Sequence, residues 1–489
     1  MATNLLKRQG LTSYLPKLET RDVALTGLVA LAVALRVAGL GASAIWYDEA
    51  FSLAMARLPL LDLVRAAALD FNPPLWEMIA WVSTRLFGDS AIGLRLPSLM
   101  ASIAAFVVAA WLMRELGISP HDKTGASWIA LAALAALAVL PYQLWMAQDG
   151  RVYAVMSLLY LAGAWFALRG RWLGFTACLG LLFYSHLPGA VYVVPLIVLA
   201  VMSHRKKLDR IGYAVAAAAL SFLPWQTAWV SATTRDFWLG PFTWGNLLTA
   251  LARAFFVDAL PPALWGAAAI AIVGGVAWAT AITLRERSAG TLTLAMLTIG
   301  PLFLMVAISQ FRNVVFYRPL SALTIPLVLW LAVTLTRIPW RWLKYTAATV
   351  WVVLLVAGLL SWSPASKGGD LRALTDRMMI DFMRPGDVVY HATGTSALPF
   401  SEYVRAPTYL LDEEQPPGLL SQPMQDALGL KRAALEDVPH ARAWIVWALD
   451  DQMTDEANAR MNRYISGGTL IGTVHYWQAA PIQVWLVEQ

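Results

Sequence analysis

Long apolar runs separated by short polar loops organise most of this chain. They fall at about 22–41, 93–113, 126–145, 152–168, 173–186, 188–202, 212–230, 262–284, 292–308, 319–336 and 345–362. A helix needs about 20 apolar residues to cross the hydrocarbon core of a bilayer. These eleven runs are long enough, or nearly so. The two runs on either side of Pro188 are short, which leaves their boundary open. Two loops break the rhythm. Residues 42–92 carry amphipathic pieces, Leu60–Leu69 and Leu75–Phe87, of a kind that lies in the membrane interface. A second long loop spans roughly 231–261.

After Trp362 the pattern changes. Gly386–Tyr390, Ala443–Leu449 and Ile482–Val487 read as strands rich in Val, Ile and Trp. Thr395–Val404 and Asp451–Ser466 read as helices. The expectation is a polytopic α-helical membrane protein with about eleven transmembrane helices over residues 1–363. A small extracytoplasmic α/β domain follows over residues 364–489.

Composition agrees with a bilayer as solvent. Hydrophobic residues make up 58% and charged residues 14%, where an ordinary soluble domain carries about 25% charged residues. The 23 Trp and 15 Tyr suit membrane–water boundaries. The net charge of +6 hides a split: residues 364–489 hold 10 basic and 16 acidic side chains, a net −6, so the rest is +12. That excess is spread over short loops, which argues for topology and against nucleic acid. The single cysteine, Cys178, says nothing of compartment. The segment before the first run carries Lys7, Arg8, Lys17 and Arg21, and the run itself is too long for a signal-peptide core, so it reads as an uncleaved helix.

Basic residues recur in alternate loops: Arg114 and Lys123; Arg169 and Arg171; Arg205, Lys206, Lys207 and Arg210; Arg285 and Arg287; Arg337, Arg341 and Lys344. The positive-inside rule then places the N-terminus in the cytoplasm. Loops 42–92 and 231–261 and the C-terminal domain come out on the other side. The expected location is the plasma (inner) membrane, multi-pass.

Five small groups cluster on that outer side. Trp46-Tyr47-Asp48-Glu49 sets two carboxylates beside two aromatics, which suits a general base next to a sugar face; it also suits a solvated acid beside an interfacial anchor. Asp70-Phe71-Asn72-Pro73-Pro74 starts a helix rigidly and holds Asp70 and Asn72 at its N-terminal end, where anions are favoured. Asp149-Gly150-Arg151-Val152-Tyr153 lies in a very short loop, and arginine fits a phosphate oxygen pair, although Asp149 and Arg151 could pair with each other. Tyr184-Ser185-His186 ends the fifth run, where a hydrogen-bonded packing histidine is the plainer reading. Arg312 and Arg318, with Tyr317, run against the positive-inside trend and suggest an anionic ligand, with snorkelling as the alternative. Arg36 carries the same ambiguity. Together these groups suit a reaction on a lipid-linked phosphate at one membrane face.

These residues, in this order, resemble the GT-C glycosyltransferases of the protein-mannosyltransferase superfamily, glycosyltransferase family 39 and the related lipid A aminoarabinose transferases. The resemblance rests on Trp46-Tyr47-Asp48-Glu49, Asp70-Phe71-Asn72-Pro73-Pro74-Leu75, Arg95-Leu96-Pro97-Ser98, Asp149-Gly150-Arg151-Val152-Tyr153, Tyr184-Ser185-His186, and Arg318 ahead of Pro326. It implies transfer of a sugar from a polyprenyl-monophosphate donor to an acceptor hydroxyl on a protein, lipid or glycan, with inversion and outside the cytoplasm. Asp48 would be the base and Glu49 its support, with Asp149 as a third acid in the catalytic group. Arg151 and Arg318 would hold the carrier phosphate, with Asp70, Asn72, His186 and Tyr153 at the binding site. Asn72 departs from the family, which usually places His or Lys before the double proline; an amide brings no charge to a phosphate.

No cofactor is expected, and no metal-ligand cluster or nucleotide loop is visible in the sequence. The main alternative is a lipid or polysaccharide transporter, which favours internal repeats and helices broken near the midplane; neither is clear here. A lipid-diphosphate-dependent ligase or polymerase would carry more basic residues in its outer loops.

Overall fold

The computed structural model describes residues 20–70, 72–118, 126–234, 239–363, 369–411, 421–438, 442–448, 455–475 and 481–488. Each of the eleven apolar runs falls on helix. Five helices are long and apolar enough to cross a membrane: Ala91–Glu115, Pro262–Glu286, Ala289–Ser309, Arg318–Leu335 and Arg341–Ser361. Four shorter apolar helices cover Val23–Val37, Tyr153–Arg169, Trp172–Ser185 and Leu187–Ser203. The basic residues Lys7, Arg8 and Lys17, and Lys123, lie outside the described residues.

The third run is a broken helix. Trp128–Val139 and Pro141–Ala147 meet at 58°, where the sequence pattern gives one continuous run. Pro141 supplies the reason: it has no N–H to continue the ladder, and its ring displaces the preceding turn. The carbonyls freed by such a break need donors inside an apolar bundle. Arg36 provides them. Its guanidinium donates to the carbonyls of Leu137 at 3.2 Å and Ala138 at 3.3 Å, and to Ser102 Oγ at 3.0 Å. Arg36 is 2% exposed. It is a buried packing group of the bundle and does not snorkel.

The long loop 42–92 is more ordered than its amphipathic pieces suggest. Helices Leu60–Ala67 and Leu75–Phe87 lie near the expected positions, and a further helix, Tyr47–Arg57, precedes them. Its first turn carries Asp48 and Glu49. Acids in a first turn are favoured by the helix dipole. Its interior packs Ala50, Phe51, Leu53, Met55 and Ala56 into the main core. Its short length and the lack of a regular apolar stripe hide it from a periodicity reading. The second long loop holds helix Trp244–Phe256.

From Val389 onward a six-stranded sheet forms with order β3-β2-β1-β4-β6-β5. The strands are β1 (Val389–His391), β2 (Thr408–Leu411), β3 (Arg432–Ala433), β4 (Ala443–Ala448), β5 (Thr469–Val474) and β6 (Ile482–Val487). The first four pair in parallel, and β6 runs antiparallel to both β4 and β5. β4 is buried along its whole length, which matches its unbroken Ala-Trp-Ile-Val-Trp-Ala run. Helices Gly394–Ser401 and Asp455–Ile465 accompany the sheet.

The sheet is joined to the membrane part through helix Tyr47–Arg57. Ala44 and Trp46 share an apolar cluster with Val389, Phe400, Trp444 and Val446. The backbone N–H of Ile45 donates to Tyr403 Oη at 2.7 Å. At the far end of the same helix, Arg57 forms two bonds to Glu402, at 2.6 and 2.8 Å, and two to Asp89, at 2.8 and 3.1 Å.

Candidate functional site

Three short segments converge where helix Tyr47–Arg57 meets the bundle: the start of that helix, the turn 148–152, and the start of the Arg318–Leu335 helix. Each is fixed by the sequence around it. Gly150 permits the closest approach. A Cβ there would lie 2.7 Å from Leu94 and 3.2 Å from Glu49 Cγ, and its N–H donates to Glu49 Oε1 at 2.8 Å. Ser98 Oγ donates to the Arg151 carbonyl at 2.9 Å, which ties the turn to helix Ala91–Glu115. Arg318 is held from behind by the broken helix: Tyr142 Oη donates to the carbonyls of Tyr317 at 2.6 Å and Arg318 at 3.1 Å. Tyr192 Oη donates to the Pro319 carbonyl.

Within this frame the two neighbouring acids separate. Asp48 Oδ2 accepts from Arg318 Nη1 at 2.6 Å, with the two side chains 20% and 15% exposed. Glu49 turns the other way and is fully buried. Arg95 grips it through two bonds, Nε to Oε1 at 2.9 Å and Nη2 to Oε2 at 2.6 Å. Arg95 also donates to the carbonyls of Leu40, Ser43 and Ala44, which pins the chain just before Trp46. Both Glu49 oxygens are thus engaged, by Arg95 and by the Gly150 N–H. Adjacent residues at the start of a helix point about 100° apart, which is enough to send one carboxylate to the opening and the other into the packing.

Asp149 is also fully buried. Its Oδ1 accepts from Trp46 Nε1 at 3.3 Å. This bond ties the turn 148–152 to the residue that precedes helix Tyr47–Arg57. The same indole is the floor under Arg318, whose guanidinium carbon lies 4.4 Å from the ring centroid. Arg318 Nε donates to Tyr317 Oη at 3.1 Å.

Arg151 turns to helices Tyr47–Arg57 and Leu75–Phe87. Its Nη1 donates to Ser52 Oγ at 2.9 Å and lies 3.5 Å from Glu77 Oε1 and 3.4 Å from the Asp48 carbonyl oxygen. Arg151 Nε and His186 Nδ1 are buried without a hydrogen-bond partner among the described residues. His186 packs against Tyr153, with ring centroids 5.5 Å apart. Asp70 Oδ2 accepts from the Asn72 backbone N–H at 3.3 Å and from its Nδ2 at 3.4 Å, which folds the segment before Pro73 onto itself. The amide of Asn72 is thus used locally.

Two members of this cluster escaped the sequence reading. Arg95 belongs to the Arg95-Leu96-Pro97-Ser98 motif, which by itself implies no role for the arginine. Glu77 sits in the first turn of the proline-started helix, where it reads as part of an amphipathic helix's polar face. It is instead 6% exposed. Burial among apolar groups pushes its carboxyl up to about 7, against the opposing pull of Arg151. Among the described residues, no group of three His, Cys, Asp or Glu side chains could hold a metal ion.

Residues 72–229 match the family described as dolichyl-phosphate-mannose-protein mannosyltransferase. That stretch includes Asn72, Glu77, Arg95, Asp149, Arg151, Tyr153 and His186. No curated protein sequence matches the chain. Among solved structures, apo ArnT from Cupriavidus metallidurans superposes with a TM-score of 0.57 at 12% identity, covering 94% of this chain and 97% of that one. The same protein bound to undecaprenyl phosphate gives a TM-score of 0.54 with the same coverage and identity. The chain thus has the GT-C fold, and residues 72–229 carry the sequence pattern of the protein-mannosyltransferase family.

Proposed function

We propose that this chain is a membrane glycosyltransferase that moves a sugar from a polyprenyl-monophosphate carrier to an acceptor hydroxyl on the extracytoplasmic face. The observation that carries the reading is the contact between Asp48 and Arg318, a partly exposed acid and a stacked, fixed cation at one opening, with Arg151 beside them. ArnT, which shares the fold, is known with undecaprenyl phosphate bound.

The chemistry follows from the charges. The acceptor oxygen forms a bond to the anomeric carbon while the bond from that carbon to the carrier phosphate breaks. The acceptor proton passes to Asp48, and the electron pair of the breaking bond stays on the phosphate oxygen. A base in reach of the hydroxyl contributes typically 10²–10⁴-fold. Growing negative charge on the phosphate favours cations fixed in advance at a partly dry site. Arg318 is held to that task by Trp46, Tyr317 and Tyr142, and Arg151 by Ser52. The unpartnered Arg151 Nε and His186 Nδ1 are further polar groups for a phosphate. A single displacement inverts the anomeric centre. Before donor arrives, Arg318 neutralises Asp48. Phosphate draws Arg318 away and leaves the carboxylate free to take a proton.

Glu49 belongs to this reading as the partner of Arg95, setting the geometry of the Asp48 turn. In this reading eleven crossings with the N-terminus inside put the site outside the cytoplasm, residues 1–363 are the transferase, and 364–489 are an extracytoplasmic domain packed against it. The test is reconstitution of the full chain in liposomes with synthetic polyprenyl-phosphate sugars and extracted envelope acceptors, alongside mass spectrometry of glycolipids and glycoproteins from a deletion strain. Sugar transfer by wild type and its loss in Asp48→Asn supports the reading. No transfer from any such donor, with an unchanged glycan profile in the deletion strain, overturns it.

A further inference from the structure

The charges at the opening do not suit a phosphate as they stand. Glu49 and Arg95 neutralise each other. Asp48 pairs with Arg318 at 2.6 Å and Glu77 lies 3.5 Å from Arg151, so with both carboxylates ionised the two arginines bring no net positive charge to a phosphate. An anionic carrier entering this site is opposed unless one carboxylate gives up its charge.

Glu77 is the carboxylate built to do so. Its Oε1 accepts from Ser52 at 3.0 Å and lies 3.5 Å from Arg151 Nη1. Its Oε2 is buried with no partner among the described residues. The groups around it are few. Helix Tyr47–Arg57 presents Ser52 and, further off, Asp48; the segment before the helix presents Asp70; the turn 148–152 presents Arg151. From the other helices packed on it, Arg95 is committed to Glu49, Asp62 and Arg65 pair with each other at the surface, and Tyr184 donates to the Ser221 carbonyl. Trp76, its neighbour in the chain, donates to the same Ser52 hydroxyl at 3.1 Å, so the acid, the serine and the arginine form one fixed unit.

We propose that Glu77 is a positioning residue for the donor: with Ser52 it holds Arg151 in place, and it takes up one proton as the carrier phosphate binds, so that Arg151 faces the phosphate with its full charge. The proton comes from the outer solution and ends on Glu77 Oε2. Arg151 keeps an oxygen acceptor in the protonated acid, so its position survives the neutralisation. The raised titration of Glu77 means this happens near neutral pH. This inference rests on the polyprenyl-phosphate reading above.

The experiment measures binding of undecaprenyl phosphate to the full chain in nanodiscs between pH 5.5 and pH 8.5, for wild type and Glu77→Gln. Glutamine is the neutral isostere, and it keeps the oxygen that faces Ser52 and Arg151. Taking the ratio of the two dissociation constants cancels the titration of the phosphate itself. The expected ratio is near one at the acid end and rises above pH 7, with wild type weaker by roughly tenfold one pH unit higher. In parallel, infrared difference spectra on adding undecaprenyl phosphate at pH 7.5 should show a protonated carboxylic acid band in wild type that is absent from Glu77→Gln. A ratio flat in pH, or no such band, overturns the role of Glu77 while leaving the polyprenyl-phosphate reading intact. Wild type that fails to bind undecaprenyl phosphate at any pH overturns that reading and this inference with it.

Discussion

Arg318 reaches Asp48 across 270 residues of chain, with its Nη1 2.6 Å from Oδ2. The pair joins helix Tyr47–Arg57 to the start of the Arg318–Leu335 helix. Asp48→Asn removes the carboxylate but keeps the size and one oxygen. Transfer should fall by about 10²–10⁴-fold, while binding of undecaprenyl phosphate holds or improves, because Arg318 no longer has a competing anion. Steady-state transfer and equilibrium binding on the same nanodisc preparation check this; weakened binding alongside lost turnover would count against Asp48 as base.

The neighbouring acid should behave differently. Removing Glu49 by Glu49→Ala strands Arg95 in the packing, and breaking one partner of a buried pair typically costs about 3–5 kcal/mol. The expected phenotype is poor yield and a lowered melting temperature in detergent. If Glu49→Ala is as stable as wild type but inactive, Glu49 acts on the acceptor after all.

Arg151→Ala and Arg318→Ala should each weaken donor use. Loss of one charge-assisted bond costs roughly 1.5–3 kcal/mol, a ten- to hundredfold change. Titration with undecaprenyl phosphate reads this directly. Unchanged affinity in both variants would remove the phosphate from this site.

Glu77 also links stability to pH. Its folded-state value is raised from 4.5 to about 7, so the folded form holds a proton that the unfolded form has lost between those limits. Its contribution is fully present below pH 4.5 and is lost as pH rises to about 7, a change on the order of 3 kcal/mol. Melting temperatures of Glu77→Gln should therefore exceed those of wild type increasingly from pH 4.5 to 7, then by a constant margin. A gap that does not change with pH would contradict the buried acid.

Topology is tested by a reporter fused after Trp362. The loop-by-loop bias of basic residues calls for activity outside the cytoplasm. Activity on the cytoplasmic side alone refutes that arrangement.

Much of the membrane part could be read from the chain because apolar runs of bilayer length are a one-dimensional signal. The break at Pro141 could not be separated from a continuous run, since proline is tolerated in membrane helices when neighbours satisfy the freed carbonyls. That satisfaction comes from Arg36, a hundred residues away. At the site, the acids and arginines were recognisable by type and order. What local sequence could not tell was that Asp48 and Glu49 face opposite ways, since that depends on Arg95 and on the space Gly150 leaves. Glu77 was hidden for a related reason: an acid on an amphipathic helix reads as solvent-facing until the partner that covers it is known. In the sheet, β4 and β6 stood out as dense Val, Ile and Trp runs, whereas β2 and β5 are short or carry Thr and Gly and lack that contrast.

Helix Tyr47–Arg57 has eleven residues and so measures about 16 Å at 1.5 Å per residue. It is a short rigid strut loaded at both ends: Asp48 at one, and the Arg57 grip on Glu402 at the other. Trp46, just before it, is at once a brick in the sheet's core and the plate beneath Arg318. A chain cut at residue 363 would keep Asp48, Arg151 and Arg318, yet lose the sheet residues packed on Trp46 and the Glu402 grip on Arg57. The sheet is on that account part of the frame around Asp48, and a load placed on it is carried, through one stiff rod, to the Asp48–Arg318 pair.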